Sequence, residues 1–207
     1  IVAYSLYLRH EMGDTDAAEA RGLIQRAVSV DELPFATLGW LLEVLSGDAR
    51  SGRQVAEIRR YLNNRVTETA STAHFSARYS DKEYLIMQSD RRADAVILAA
   101  LMEDQPESDL IPKIVRGLLA HRKKGRWGNT QENAWVLLAL DAYFRKYEKQ
   151  TPDFVARVWL GDQFAGEHAF EGRTTERHSV NVPMPDLAEA TAKSEGQSKL
   201  YLQKDGT

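Results

Sequence analysis

The sequence predicts a mainly α chain with a β tail: a partial α/α toroid of helical hairpins, then strands of an incomplete β-sandwich. Three observations carry this. Residues 1 to roughly 150 show helical periodicity, whereas the rest reads as short strands and turns. Within the helical part, segments that are apolar nearly all round alternate with amphipathic ones. And the polar knot Asn129-Thr130-Gln131-Glu132-Asn133 stands directly against a run, Ala134–Phe144, in which only Asp141 is polar.

In chain order, Ile1–Met12 is an apolar, helix-like start, and Asp16–Val28 is a weakly amphipathic helix. Phe35–Leu45 is apolar all round. In Arg53–Arg65 the residues Val55, Ile58, Tyr61 and Leu62 share one face, with Arg59, Arg60 and Asn63 opposite. Residues 72–88 predict a β-hairpin: Phe75, Ala77 and Tyr79 alternate, Ser80-Asp81-Lys82 turns, and Tyr84 and Ile86 follow. Ala93–Met102 is again apolar. Asp109–Lys124 is amphipathic through Ile111, Ile114, Val115, Leu118 and Leu119. Ala134–Phe144 closes the helical part, and Thr151-Pro152 marks the change of texture, because a helical residue is disfavoured before proline. The tail carries β-rich pieces separated by Gly161-Asp162 and Glu171-Gly172, ending in Lys199–Thr207; these strands are too few for a complete sandwich.

Alternation of buried and amphipathic helices is a repeat of hairpins. A ring accounts for it: inner helices touch both the axis and the outer layer, and outer helices bury one face. A stacked solenoid is the alternative, with a more polar concave face. About seven helices would make roughly half of a ring of six pairs. The predicted domains are therefore residues 1–150, part of the toroid with its hairpin, and 151–207, a partial sandwich.

Composition sets bounds on function. The chain has 207 residues, 43% hydrophobic and 28% charged, enough for a sizeable core. Net charge is −3, and residues 151–207 hold 6 basic and 9 acidic residues, so the imbalance lies in the tail. No basic excess points to nucleic acid or an anionic membrane. With no cysteine there is no disulfide, thiolate site or cysteine nucleophile. No signal-like start and no membrane-spanning apolar run is present. Both ends read as cuts, so a fragment of a longer protein is expected.

The stretch Gly125–Arg145, "GRWGNTQENAWVLLALDAYFR", resembles the late signature of thioester domains in the alpha-2-macroglobulin family, above all its bacterial branch. Ser89–Leu101 ("SDRRADAVILAAL") and Lys199–Thr207 ("KLYLQKDGT") are similar to bacterial members too. The resemblance implies an α/α-toroid thioester domain inserted into a CUB β-sandwich. It also implies a protease-trapping inhibitor, not an enzyme, with target proteases as partners through the full-length protein. A periplasmic, host-defence setting and a parent lipid-anchored to the inner membrane follow from it as well. One departure is decisive: the Cys-x-Glu-Gln thioester motif is absent. Either it lies before Ile1 or the parent lacks it. No histidine (His10, His74, His121, His168, His178) matches the family's acyl-transfer histidine.

No cofactor, catalytic or metal residue is assigned. Asp90 and Asp94 lie i, i+4, as an axial carboxylate pair would, but carboxylates also favour a helix start. Glu132 has the same explanation, and Asp141 is expected to pair with an Arg. The histidines lack metal spacing. "HRKKGR" (His121–Arg126) is read as a cationic helix end and turn without aromatic interleaving for nucleic acid. No phosphate loop or nucleophile elbow appears. The structural signature is Trp127, Asn129, Thr130, Gln131 and Glu132. Asn129 is read as the N-cap, with Glu132 reaching back to the Asn129 N–H, Trp127 packed ahead as a lid and Gln131 facing neighbouring loops. Thr130 is the competing cap, with Asn133 its poorer partner. The alternatives to trapping are a toroid enzyme, glycosidase- or terpene-cyclase-like, and a non-trapping interaction scaffold.

Overall fold

Among the described residues the helical texture becomes seven α-helices, and the tail becomes a three-stranded antiparallel sheet with one helix. The computed structural model describes residues 1–27, 29–77, 79, 87–148, 151–172, 178–193 and 197–207. They form two units, Ile1–Tyr147 and Glu148–Thr207.

In the first unit the helices are α1 Val2–Glu11, α2 Ala17–Arg26, α3 Phe35–Leu45, α4 Gly52–Arg65, α5 Asp90–Asp104, α6 Leu110–Ala120 and α7 Thr130–Tyr147. The odd helices lie in sequence against one another, α1 on α3, α3 on α5 and α5 on α7. The even helices back them: α2 and α4 on α3, α6 on α5. This follows from the side chains. The even helices bury one stripe each, Val55, Ile58 and Leu62 on α4 and Ile111, Ile114, Val115 and Leu118 on α6. The helix α3 buries every residue but Thr37, and α5 buries Ala93–Leu98 and Ala100–Met102.

Tyr4 and Tyr7 of α1, Trp40 of α3 and Trp135 of α7 cluster where the odd helices converge, with ring centroids 4.9–6.4 Å apart. Such offset and edge contacts contribute beyond area burial. Ion pairs tie the layers: Arg59 of α4 forks onto Asp104 of α5 at 2.7 and 2.8 Å, and Ser46 after α3 donates to the same carboxylate at 2.9 Å.

Three expectations need correction. The apolar ends of the row are not enclosed. On α1 only Ala3 and Leu6 are buried, and on α7 only Glu132, Val136, Ala139 and Leu140. Second, the hairpin expected over 72–88 is not formed by Phe75 and Ala77. The short pair is β1 Thr67–Glu68 with β2 Ala73–His74, and Phe75–Ala77 is extended but unpaired with any strand. The predicted turn and second arm, residues 80–86, lie outside the described residues.

Third, the tail holds a helix. Its sheet has the order β4-β3-β5, with β3 Asp153–Leu160, β4 Gln163–Glu171 and β5 Leu200–Gly206. Gly161-Asp162 makes the β3–β4 turn, Phe154 stacks on its cross-strand partner Phe170, and Arg157 pairs with Glu167 and Asp205. Between β4 and β5 stands α8, Met184–Lys193. Pro185 and Asp186 in its first turn and Lys193 in its last suit a helix, a signal the strand-like texture around them masked.

Candidate functional site

The signature residues meet the start of α5 at a polar cleft of about 1150 Å³. Its walls are the N-terminal ends of α5 and α7, the turn after α6 and the extended segment after β2.

The α7 wall is built by its own first turn. The Asn129 carbonyl accepts from the Asn133 N–H at 3.0 Å, and its side-chain oxygen accepts from the Glu132 N–H at 2.9 Å. That is the N-cap arrangement. Glu132 reaches one residue further than the sequence implied: its carboxylate accepts from the Gly128 N–H at 2.6 Å, not from that of Asn129. Gly128 permits this, since a Cβ there would stand 2.8 Å from Glu132 Oε2. Trp127 is buried and donates through Nε1 to the Leu118 carbonyl at 2.8 Å, so it is pinned to the last turn of α6. Thr130 is exposed and Gln131 is half-buried.

Asn133 is the residue the sequence reading undervalued. Its Oδ1 accepts from the Trp127 N–H at 3.1 Å, and its Nδ2 donates to the carbonyls of Trp127, at 3.1 Å, and Asn129, at 2.6 Å. An amide carries both a donor and an acceptor, so it can satisfy both backbone groups of Trp127. The available signal was an asparagine, a poor helix former, inside the first turns of an apolar helix.

At the α5 wall, Ser89 caps the helix by accepting from the Arg92 N–H at 3.3 Å. The i, i+4 acids meet the period-two backbone of the extended segment. Asp94 accepts from the Phe75 N–H at 2.7 Å; Asp90 accepts from the Ala77 N–H at 3.1 Å and the Tyr79 hydroxyl at 3.0 Å. Alternate amides point the same way in an extended chain, and residues one turn apart share a helix face. This explains why Phe75 and Ala77 alternate without a strand partner. Asp94 is fully buried and pairs with Arg91 at 3.2 Å. Burial pushes its carboxyl up to about 7, against the pull of Arg91 and the Phe75 amide. Burial and then Asp90 raise the Tyr79 phenol, and burial, Arg91 and His121 lower the His74 imidazole. The two aspartates therefore hold a chain segment in place.

The remaining wall is cationic. Lys123, Lys124 and Arg126 are exposed on a turn closed by a bridge between Lys123 and Arg126, with Lys124 and Gly125 at φ 50° and 81°. His121 Nδ1 lies 2.8 Å from both Arg91 Nη1, a donor only, and the Gly117 carbonyl, an acceptor only. It serves one at a time, by tautomer. His74 lies beside it, ring centroids 6.0 Å apart. Sequence reasoning did not gather Arg91, His74 and His121, because only the fold brings three distant segments together. Elsewhere, His168 stacks on His178 at 3.4 Å in the second unit. Asp141 pairs with Arg145 at 2.8 Å on the surface of α7. Among the described residues no group of three His, Cys, Asp or Glu side chains could hold a metal, and no helix is long and apolar enough to cross a membrane.

No family model matches the chain. It is 32% identical over 145 residues to an alpha-2-macroglobulin homolog of Nostoc sp., a match covering 70% of the chain and 7% of that protein. It is 28% identical over 168 residues to circularly permutated Ras protein 2 of Dictyostelium discoideum, covering 75% of the chain and 4% of that protein. The two matched stretches necessarily overlap. The chain spans less than a tenth of the length of either relative.

Proposed function

Distant homology relates the chain to the alpha-2-macroglobulin family, and from that premise we propose that it is a wall of the thioester-type domain in a bacterial protease-trapping inhibitor. In this reading residues 1–150 are part of an α/α toroid and 151–207 contribute strands, with α8, to a CUB-like sandwich. The chain itself does no chemistry: it has no cysteine to form a thioester. Target proteases are the partners of the full-length protein. A periplasmic setting, with a lipid anchor elsewhere in the parent, goes with the bacterial branch.

The observation that carries the reading is the row of odd helices. Two helices whose apolar stretches, Phe35–Leu45 and Ala93–Met102, are almost wholly buried are flanked by two of the same texture that bury only a few residues each. A ring of which this chain is an arc provides covers for both ends. A toroid enzyme would instead need free carboxylates at the axis. Where the odd helices meet, Tyr4, Tyr7, Trp40 and Trp135 cluster instead, and Asp90 and Asp94 are engaged by the backbone of Phe75–Ala77.

The test uses the full-length parent. Incubated with trypsin, it should leave cleavage of a small chromogenic peptide intact while protecting a large protein substrate. The chain alone should do neither and should form no detergent-stable adduct. Equal cleavage of both substrates in the presence of the parent would overturn the proposal.

A further inference from the structure

We propose that the cleft between the starts of α5 and α7 is a docking site for an acidic polypeptide segment. The argument is one of charge left over. Arg91, Lys123, Lys124 and Arg126 line the cleft, with His74 and His121 beside them. The lining acids are Asp90 and Glu132, and each is already committed, as is the buried Asp94 one turn on from Asp90. Asp90 and Asp94 hold the amides of Ala77 and Phe75, Asp94 also pairs with Arg91, and Glu132 holds the Gly128 amide. Lys123, Lys124 and Arg126 have no ion-pair partner among the described residues, and all three are exposed on one turn. The result is an anion-attracting surface on a chain whose net charge is −3. Two helix starts open into the same space, and the partial positive charge of helix N-termini adds to the same sign.

The chemistry favours a peptide over the other anions. A volume of about 1150 Å³ exceeds what a small ligand fills, and three of the cations, Lys123, Lys124 and Arg126, belong to one exposed turn. Nucleic acid would need exposed aromatic faces for stacking, and among the described residues the cleft offers none: Trp127 is buried and pinned, and Tyr79 is held by Asp90. Uncharged hydrogen-bonding side chains (Ser76, Gln88, Thr130) line the same cleft and can meet a peptide backbone between carboxylates. The site stands apart from the trapping proposal, since nothing in it requires a thioester.

The experiment is fluorescence anisotropy on the 207-residue chain with a labelled hexaglutamate peptide as probe, at low and at physiological salt. The expected result is saturable binding that weakens with salt and that Lys123→Glu with Lys124→Glu weakens at least tenfold. Arg53→Glu with Arg60→Glu, on the surface of α4, should leave it within twofold. Circular dichroism melts of both double variants establish that each is folded; Lys123→Ala with Lys124→Ala, expected to give at least a threefold loss, replaces the first if it is not. Binding of hexalysine as tight as hexaglutamate, equal loss from both double variants, full displacement by inorganic phosphate at equimolar charge, or tighter binding of an oligouridylate would each overturn the proposal.

Discussion

On α3, every residue from Phe35 to Leu45 except Thr37 is buried. On α7, a helix of the same apolar texture, Leu137 is 54% and Leu138 63% exposed. The open residues of α7 form one face: Ala134, Leu137, Leu138, Asp141, Ala142 and Arg145 recur at i, i+3, i+4, i+7, i+8 and i+11. Its other face packs on α5. The comparison teaches that an apolar-all-round pattern records where a helix sits in a row, not how much of it this chain covers. α3 has α1 on one flank, α5 on the other and α2 and α4 behind; α7 packs mainly on α5, with Trp135 reaching the rings of Tyr4, Tyr7 and Trp40.

The comparison breaks first at single leucines. Leu41 has no exposed surface, so Leu41→Ala removes buried methyls and leaves a cavity, costing about 2–5 kcal/mol. Leu138→Ala, on the open face of α7, should stay within about 0.5 kcal/mol in the isolated chain. Urea melts of the two variants measure both. A Leu138→Ala cost rivalling that of Leu41→Ala would mean that the α7 face is covered in solution.

A second variant probes how closely the covered helices approach. Gly39 of α3 faces α5, and a Cβ there would lie 2.7 Å from Val96 Cγ1 and 3.3 Å from the Val96 carbonyl. Gly39→Ala gains up to about 1 kcal/mol of helix propensity but must push a β-branched side chain and backbone apart, at about 1–3 kcal/mol. A net loss is expected in thermal melts. A stabilised variant would show that α3 and α5 are packed less tightly than their burial indicates.

The texture of this row was legible in the sequence because burial on all sides demands apolar residues on all sides, and α3 and α5 follow that rule apart from the buried Glu43 and Asp94. Coverage of α1 and α7 was not legible, because it depends on neighbours and not on the helix. Around Phe75 the alternation was legible but its partners were not: the Phe75 and Ala77 amides are taken by Asp94 and Asp90, side chains on a distant helix. At the cleft, the preference of asparagine for helix starts made Asn129 visible, while the role of Asn133 depends on where the Trp127 backbone runs.

That start offers a third prediction, on the covered side of α7. Asn129→Ala removes a cap bond and should cost about 1 kcal/mol. Asn133→Ala strands both backbone groups of Trp127 and should cost about 1–2 kcal/mol. Thr130→Ala should be silent, since that side chain is exposed. Denaturant melts that reversed this order would place the helix start at Thr130's own side chain.

The smallest expected effect separates α3 from α7 by pH. Each carries an acid in an apolar setting. Asp141 on α7 is exposed and paired with Arg145, whereas Glu43 on α3 is buried near Glu11 and Glu103. Burial first, and then those two carboxylates, push Glu43 up to about 8 from 4.5. A carboxyl whose folded pKa is raised binds its proton more tightly folded than unfolded, so stability falls as pH rises from about 4.5 to about 8 and is flat above. Asp94 acts with the same sign up to about 7, and His74, lowered from 6.5, acts with the opposite sign below that value. Between pH 7 and 8 Glu43 therefore dominates, and the chain should lose about 1 kcal/mol there. Glu43→Gln cannot ionise and should flatten that window while leaving the chain at least as stable at pH 8. Asp141→Asn should leave the slope as it was. Melting temperatures that fall equally in the parent and in Glu43→Gln would show that water or a partner reaches Glu43, and that the covered side of the row is less closed than α3 makes it.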